Sequence, residues 1–223
     1  MLRPFALLAA FLVVSFASYA FAAEGEAPKP TAPEEPKDMK QLFNGKDLTG
    51  WEGDLKLWKI EDGAIVGDSP GIQQNEFLAT KKSYRNFELE LEFRLKDGKG
   101  NTGIQFRSQR EPGSSAVIGY QADIGEKYWG CLYDEHRRNK ILAQAPKALD
   151  DVLKKDGWNR YVIRAEGNRV VLKVNDLTTV DYREPDDQIA RDGIIALQVH
   201  SGPAMRIEFR KLRLRELPEP RPE

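Results

Sequence analysis

Cysteine is nearly missing from the 223 residues: Cys131 stands alone, so no intramolecular disulfide can form. With only two histidines, His136 and His200, beside that thiol, a finger-type Cys/His zinc site is excluded as well. There is no excess of either charge. The 34 Lys and Arg nearly balance 35 Asp and Glu, giving a net charge of −1, which argues against a dedicated nucleic-acid binder. Long amphipathic helical segments are absent too, apart from one helical turn expected near 148–154. What remains is 40% hydrophobic and 31% charged, the composition of a soluble globular chain with room for one domain of ordinary size.

The ends carry no core. Arg3 followed by the apolar run 5–14 and Ala20-Phe21-Ala22 forms a secretory signal pattern, with cleavage after Ala22. Export to a periplasmic or extracellular location is expected, and no stable membrane span after cleavage. Residues 23–39, with Pro28, Pro30, Pro33 and Pro36, are expected to be a disordered tether, and 218–223 a disordered tail. The folded body is then 40–217.

That body alternates with period two. Phe87, Leu89, Leu91, Phe93 and Leu95 are separated by Glu88, Glu90, Glu92 and Arg94, which puts the apolar side chains on one sheet face. The same pattern recurs from Met205 to Arg210, and Gly167-Asn168 joins two apolar runs as a hairpin. Further strands are expected at 57–61, 64–67, 102–107, 116–124, 141–144, 178–182 and 193–200. Ten or more short strands with turns between them predict an all-β sandwich or jelly roll of two antiparallel sheets.

Two motifs mislead. Gly98-Lys99-Gly100-Asn101-Thr102-Gly103 fits G-x-G-x-x-G but runs into a strand, not the helix a dinucleotide site needs. His136-Arg137-Arg138-Asn139-Lys140 is too short for a nucleic-acid surface and is expected to be a solvated loop.

Three strands present polar groups opposite their apolar face: Gln105 and Arg107, Gln121 and Asp123, Gln198 and His200. Amides, a carboxylate, a guanidinium and an imidazole form a hydrogen-bonding set suited to a polyhydroxylated ligand. Tyr120, Tyr128, Trp129 and Tyr133 lie close enough in sequence to stack on a sugar ring. All six polar residues are expected to line one concave surface; the alternative is an ordinary solvated outer face.

Several ordered segments resemble one family. They are Leu42-Phe43-Asn44-Gly45-Lys46-Asp47-Leu48-Thr49-Gly50-Trp51, Phe77-Leu78-Ala79-Thr80, Tyr84-Arg85-Asn86-Phe87-Glu88-Leu89, Asn101-Thr102-Gly103-Ile104 with Arg107, Gly119-Tyr120-Gln121-Ala122-Asp123-Ile124 and Gly193-Ile194-Ile195-Ala196-Leu197-Gln198-Val199-His200. The family is DUF1080, the 3-keto-disaccharide hydrolase domain, also described as 3-keto-glucoside 1,2-lyase/3-keto-2-hydroxy-glucal hydratase. Gln121 stands where the family usually has Glu, and Asp123 where it has Gln.

The resemblance implies a concanavalin-like jelly roll and an oligosaccharide or 3-keto-glycoside substrate. A 3-keto group acidifies the C2 proton, so cleavage needs a base, an enolate stabiliser and an acid for the leaving oxygen. Under that reading His200 and Asp123 are the expected acid–base residues and Arg107 the enolate stabiliser. Gln105, Gln121, Gln198, Tyr120 and Tyr133 would bind substrate. A divalent cation on Asp123 and His200 is left open, because two ligands do not establish a metal. A lectin-like glycan-binding module and a structural or partner-binding envelope protein are the competing expectations.

Overall fold

The computed structural model describes residues 38–220. The expected signal sequence and nearly all of the expected tether lie outside the described residues. In chain order the strands are β1 (Lys40–Gln41), β2 (Trp51–Glu52), β3 (Trp58–Glu61), β4 (Ala64–Ile72), β5 (Glu76–Thr80), β6 (Phe87–Leu95), β7 (Asn101–Arg110), β8 (Val117–Gly125), β9 (Leu132–Glu135), β10 (Lys140–Ala143), β11 (Asn159–Glu166), β12 (Arg169–Val174), β13 (Leu177–Arg183), β14 (Ile194–Val199) and β15 (Gly202–Glu216). A 3-10 turn (Lys96–Gly98) and one short helix, α1 (Leu149–Val152), complete the described elements, and α1 sits where the helical turn was expected.

Two antiparallel sheets face each other. The first runs β13-β12-β11-β6-β15-β4-β3, with β1 on β15; the second runs β10-β9-β8-β7-β14-β5-β2. The architecture is the expected jelly-roll sandwich. β6 shows why. Its five apolar side chains are buried between the sheets, and its charged ones turn outward. Phe87 of the first sheet meets Phe106 of the second edge-on at 6.3 Å, and Phe93 packs on Tyr161 at 5.7 Å. Each such ring, fully buried, contributes about 2–3 kcal/mol of transfer free energy.

The outer face of the first sheet is a lattice of paired charges. Glu88 takes Arg164 and Arg215, Glu90 takes Arg160 and Arg213, and Glu92 takes Arg210 and Lys211. A groove of about 440 Å³ lies on this face. Its arginines are committed: Arg160 to Glu90, Arg164 to Glu88 and Glu166, Arg169 to Asp181. Each of these three glutamates on this face thus holds two basic partners.

The C-terminal end departs from expectation. Instead of leaving the body at Pro218, the chain stays docked: the Pro218 carbonyl accepts from Asn86, Glu219 pairs with Arg85, and the Pro220 ring lies beside Gly167.

Candidate functional site

The far face of the second sheet is built from β7, β8, β9 and β14. Antiparallel register aligns Gln105, Gln121 and Tyr133 across three neighbouring strands. Asp123 lies two residues beyond Gln121 and opposite Gly103. A side chain on Gly103 would put its Cβ 2.6 Å from Gln121 Cγ, so the glycine lets Gln121 lean across the strand. A directed chain of hydrogen bonds results. Ser108 Oγ donates to Gln105 Oε1 at 2.8 Å, Gln105 Nε2 to Gln121 Oε1 at 3.1 Å, and Gln121 Nε2 to Asp123 Oδ1 at 2.7 Å. Each amide is thereby oriented, and the last donor points at the carboxyl.

Asp123 lines a cleft of about 110 Å³ with Asn101, Gln121, Tyr128, Tyr133, Glu135 and His200. Its carboxyl is 3% exposed, and its hydrogen-bond partner is an amide, not a cation. Burial raises its pKa well above the carboxylate range; the Gln121 hydrogen bond opposes that and the Glu135 charge adds to it. Glu135 is raised as well, by burial first, with His136 and His200 opposing. His200 Nδ1 lies 2.6 Å from the Ser201 carbonyl oxygen. A carbonyl only accepts, so Nδ1 is the donor, which in the neutral ring leaves the lone pair on Nε2. Tyr128 and Tyr133 meet edge-on at 6.1 Å. Burial raises the Tyr133 pKa, which keeps its phenol a donor at neutral pH.

Of the expected site residues, Gln121, Asp123, Tyr133 and His200 come together here. Gln105 stands behind Gln121 as its support and is fully buried. Gln198 is on the same face, in register with Phe77, fully buried, and neither atom of its amide has a partner. Asn101 Oδ1 at the cleft is likewise unpartnered. Buried amide atoms without partners are costly unless something polar reaches them.

Arg107 and Tyr120 are corrections. A one-residue bulge lies between Phe106 and Gln109, where the pairing shifts against both β8 and β14. Arg107 occupies it at φ 47°, and the extra residue reverses side-chain parity. Ser108 takes the place beside Gln105, while Arg107 turns away. Its Nε donates to Arg85 O at 2.7 Å, Nη1 to Gly167 O at 2.8 Å and Nη2 to Asn86 Oδ1 at 3.0 Å. Burial lowers its pKa to about 10. It ties loops together and does not line the cleft. Tyr120, one residue from Gln121, necessarily faces the other way; its ring stacks on Phe106 at 5.6 Å and its hydroxyl donates to Glu184 at 2.5 Å. Trp129 packs against Phe93 in the core.

Glu135 and Asn101 were missed. Glu135 has the same two-residue parity from Tyr133 that links Gln121 to Asp123, but Leu132–Glu135 was not read as a strand. Among the described residues, no group of three or more His, Cys, Asp or Glu side chains is placed to hold a metal ion.

Among curated proteins no sequence matches the chain. Solved structures share its fold. A Parabacteroides distasonis protein assigned as a glycosyl hydrolase superposes with TM-score 0.62 at 19% identity, covering 81% of this chain and 94% of that one. The carbohydrate-binding module CBM66 from Bacillus subtilis gives 0.59 at 20% identity, covering 75% and 96%. The β-glucanase of Bacillus licheniformis gives 0.55 at 11%, covering 82% and 100%. At these identities the likeness is one of fold. The sequence itself matches a family over residues 38–215, the whole of the two-sheet body up to the last residues of β15, and the chain therefore belongs to the 3-keto-alpha-glucoside-1,2-lyase-like domain family.

Proposed function

We propose that this carbohydrate-related domain is an exported enzyme that cleaves 3-keto-glycosides by elimination and hydration. The observation that carries the reading is the Asp123 carboxyl, buried without a cation, sharing one cleft with Glu135 and His200. A carboxyl whose pKa is raised by burial is a stronger base when it ionises, which suits removal of a weakly acidic C–H proton.

Asp123 takes the proton from C2 of the 3-keto sugar, and the C2–H electron pair passes into the enolate. The Tyr133 phenol donates to the enolate oxygen. Collapse of the enolate forms the C1–C2 double bond and breaks the C1–O bond, and the departing oxygen takes its proton from the protonated form of Glu135, whose pKa burial raises. Water then adds at C1, its proton passing to His200 Nε2, while Asp123 returns the first proton to C2. His200 and Glu135 interact electrostatically, which suits return of the remaining proton between them. The Gln121 and Asn101 amides hold hydroxyls.

The likeness to a carbohydrate-binding module, together with Gln121 in the family's usual Glu position, favours a second reading: glycan binding without chemistry. Incubation with a 3-keto-α-glucoside separates the two. Release of a reducing sugar supports the enzyme, whereas saturable binding of the intact glycoside without release supports the module.

A further inference from the structure

The hydrogen-bonded chain that ends on Asp123 can run in two directions, and its far end suits both. A primary amide offers an acceptor on one side and donors on the other, and a half-turn about its last bond exchanges them. Gln105 and Gln121 are buried, and among the described residues their side-chain hydrogen bonds run only to Ser108, to each other and to Asp123. If one amide turned alone, two donors or two acceptors would face each other across the 3.1 Å between them, so the pair turns together.

The direction with Gln121 Nε2 toward Asp123 suits an ionised carboxylate, which only accepts. A protonated carboxyl also carries a donor. Among the described residues Gln121 is the hydrogen-bond partner of the Asp123 side chain, and within that amide only Oε1 can take the added hydrogen. The reversed chain then runs from Asp123 to Gln121 Oε1, from Gln121 Nε2 to Gln105 Oε1, and from Gln105 Nε2 to Ser108 Oγ.

Ser108 allows the reversal. A backbone carbonyl in its place would only accept and an N–H only donate, whereas a hydroxyl does both. Its Oγ lies 2.8 Å from Gln105 Oε1, 2.9 Å from Phe106 O and 3.4 Å from Tyr120 O. Its one hydrogen therefore has another acceptor within reach when Gln105 presents a donor. The bulge puts the hydroxyl there: Arg107 takes the extra position at φ 47°, its guanidinium tied to Arg85, Asn86 and Gly167.

We propose that Ser108 is a positioning residue for Asp123, the fixed end of a reversible relay in which Gln105 and Gln121 turn together as Asp123 gains or loses its proton. No proton passes along the relay. Each amide keeps its two hydrogens, and the Asp123 proton arrives from the cleft and leaves to it. The other titratable groups around Asp123 are Tyr128, Tyr133, Glu135 and His200 at the cleft, Cys131, whose carbonyl accepts from Asp123 N, and Tyr161 of β11, whose hydroxyl lies 3.5 Å from Asp123 O. On the cleavage reading, in which Asp123 takes and returns one proton, the relay keeps a hydrogen bond on the carboxyl in both states. The turning itself requires no substrate.

The test follows the glutamine side-chain amides and the Asp123 carboxyl carbon of the full chain by NMR across pH, without ligand. Below the Asp123 midpoint the Gln105 amide hydrogens should show contacts to the Ser108 β-hydrogens. Above it those contacts should give way to contacts with Gln121, while the Gln121 amide hydrogens move next to Asp123. Ser108→Ala, shown to be folded by thermal unfolding, removes the donor that serves the ionised arrangement and leaves the Phe106 and Tyr120 carbonyls for the protonated one. Its Asp123 midpoint should rise by roughly 0.5–1 unit. Amides that keep one arrangement throughout the pH range overturn the proposal, as does an unmoved midpoint in folded Ser108→Ala. If that variant does not fold, the wild-type contacts decide alone. Turning amides in a protein that releases no sugar from a 3-keto-α-glucoside uphold the relay and sink the cleavage reading; release with fixed amides does the reverse.

Discussion

Two buried ionisable residues illustrate how differently burial acts. Asp123 has an amide partner and sits at a cleft; Arg107 has three carbonyl-type acceptors and sits among loops. On the proposed reading the first serves chemistry; the second holds loops together. Replacing Arg107 by Met leaves the Arg85 and Gly167 carbonyls without their guanidinium donor, while Asn86 Oδ1 keeps the Gly167 N–H. The expected loss is about 2–4 kcal/mol of stability, a fall in Tm of roughly 5–15 °C. KM for a glycoside should stay within about 2-fold, since Arg107 lines no part of the cleft; a large KM change at constant Tm would return it to the site. Asp123 acts oppositely on stability. Its pKa is raised in the fold, so above the ordinary carboxylate value the native state binds more protons than the unfolded one. Native stability therefore falls as pH rises through that window, about 1.4 kcal/mol for each unit of displacement. Asp123→Asn removes this slope. Its Tm should match the wild type near pH 4 and exceed it near pH 8, which unfolding scans at the two pH values check.

Among the elements, β7 decides what could be read in advance. Alternation made β6, β8, β14 and β15 legible, and with them the shared face of Gln121 and Asp123. The bulge after Phe106 was not legible, because parity arguments assume an uninterrupted pleat. Its trace lies in two distant glycines. A Cβ on Gly193, at φ 153°, would stand 2.4 Å from Ser108 N and O, and one on Gly119 would stand 2.3 Å from Ser108 Oγ. Nothing local to either glycine announces the contact. Gly193→Ala must both strain the backbone and push the bulge aside, at an expected cost of about 2–4 kcal/mol. A variant as stable as the wild type in a denaturant titration would mean that the bulge is not held this way. β9 was hidden for another reason: Leu132–Glu135 is four residues long, with Asp134 buried on the core side against two arginines, so the apolar alternation is broken. Glu135 went unread with it.

At the scale of the molecule, the two outer faces divide the work. One sheet satisfies its charges with each other; the other buries amides that have no partner and opens a cleft beside them. The fold class and the sugar-related family follow from strand pattern and motifs together, whereas the meeting of Asn101, Asp123, Glu135 and His200 at one cleft depends on strands that come together only in space. Export is proposed from the N-terminal sequence alone, and N-terminal sequencing of the mature protein should find a start near Ala23; retention of Met1 would contradict it. The central claim, that the Asp123 cleft carries out chemistry, is tested most directly by turnover of a 3-keto-α-glucoside by wild type and Asp123→Asn across pH. The account predicts reducing-sugar release by the wild type, rising through a pKa above the ordinary carboxylate range, and a loss of roughly 10²–10⁴-fold in the stable Asp123→Asn protein. Wild-type binding without release, or full activity in Asp123→Asn, would contradict it.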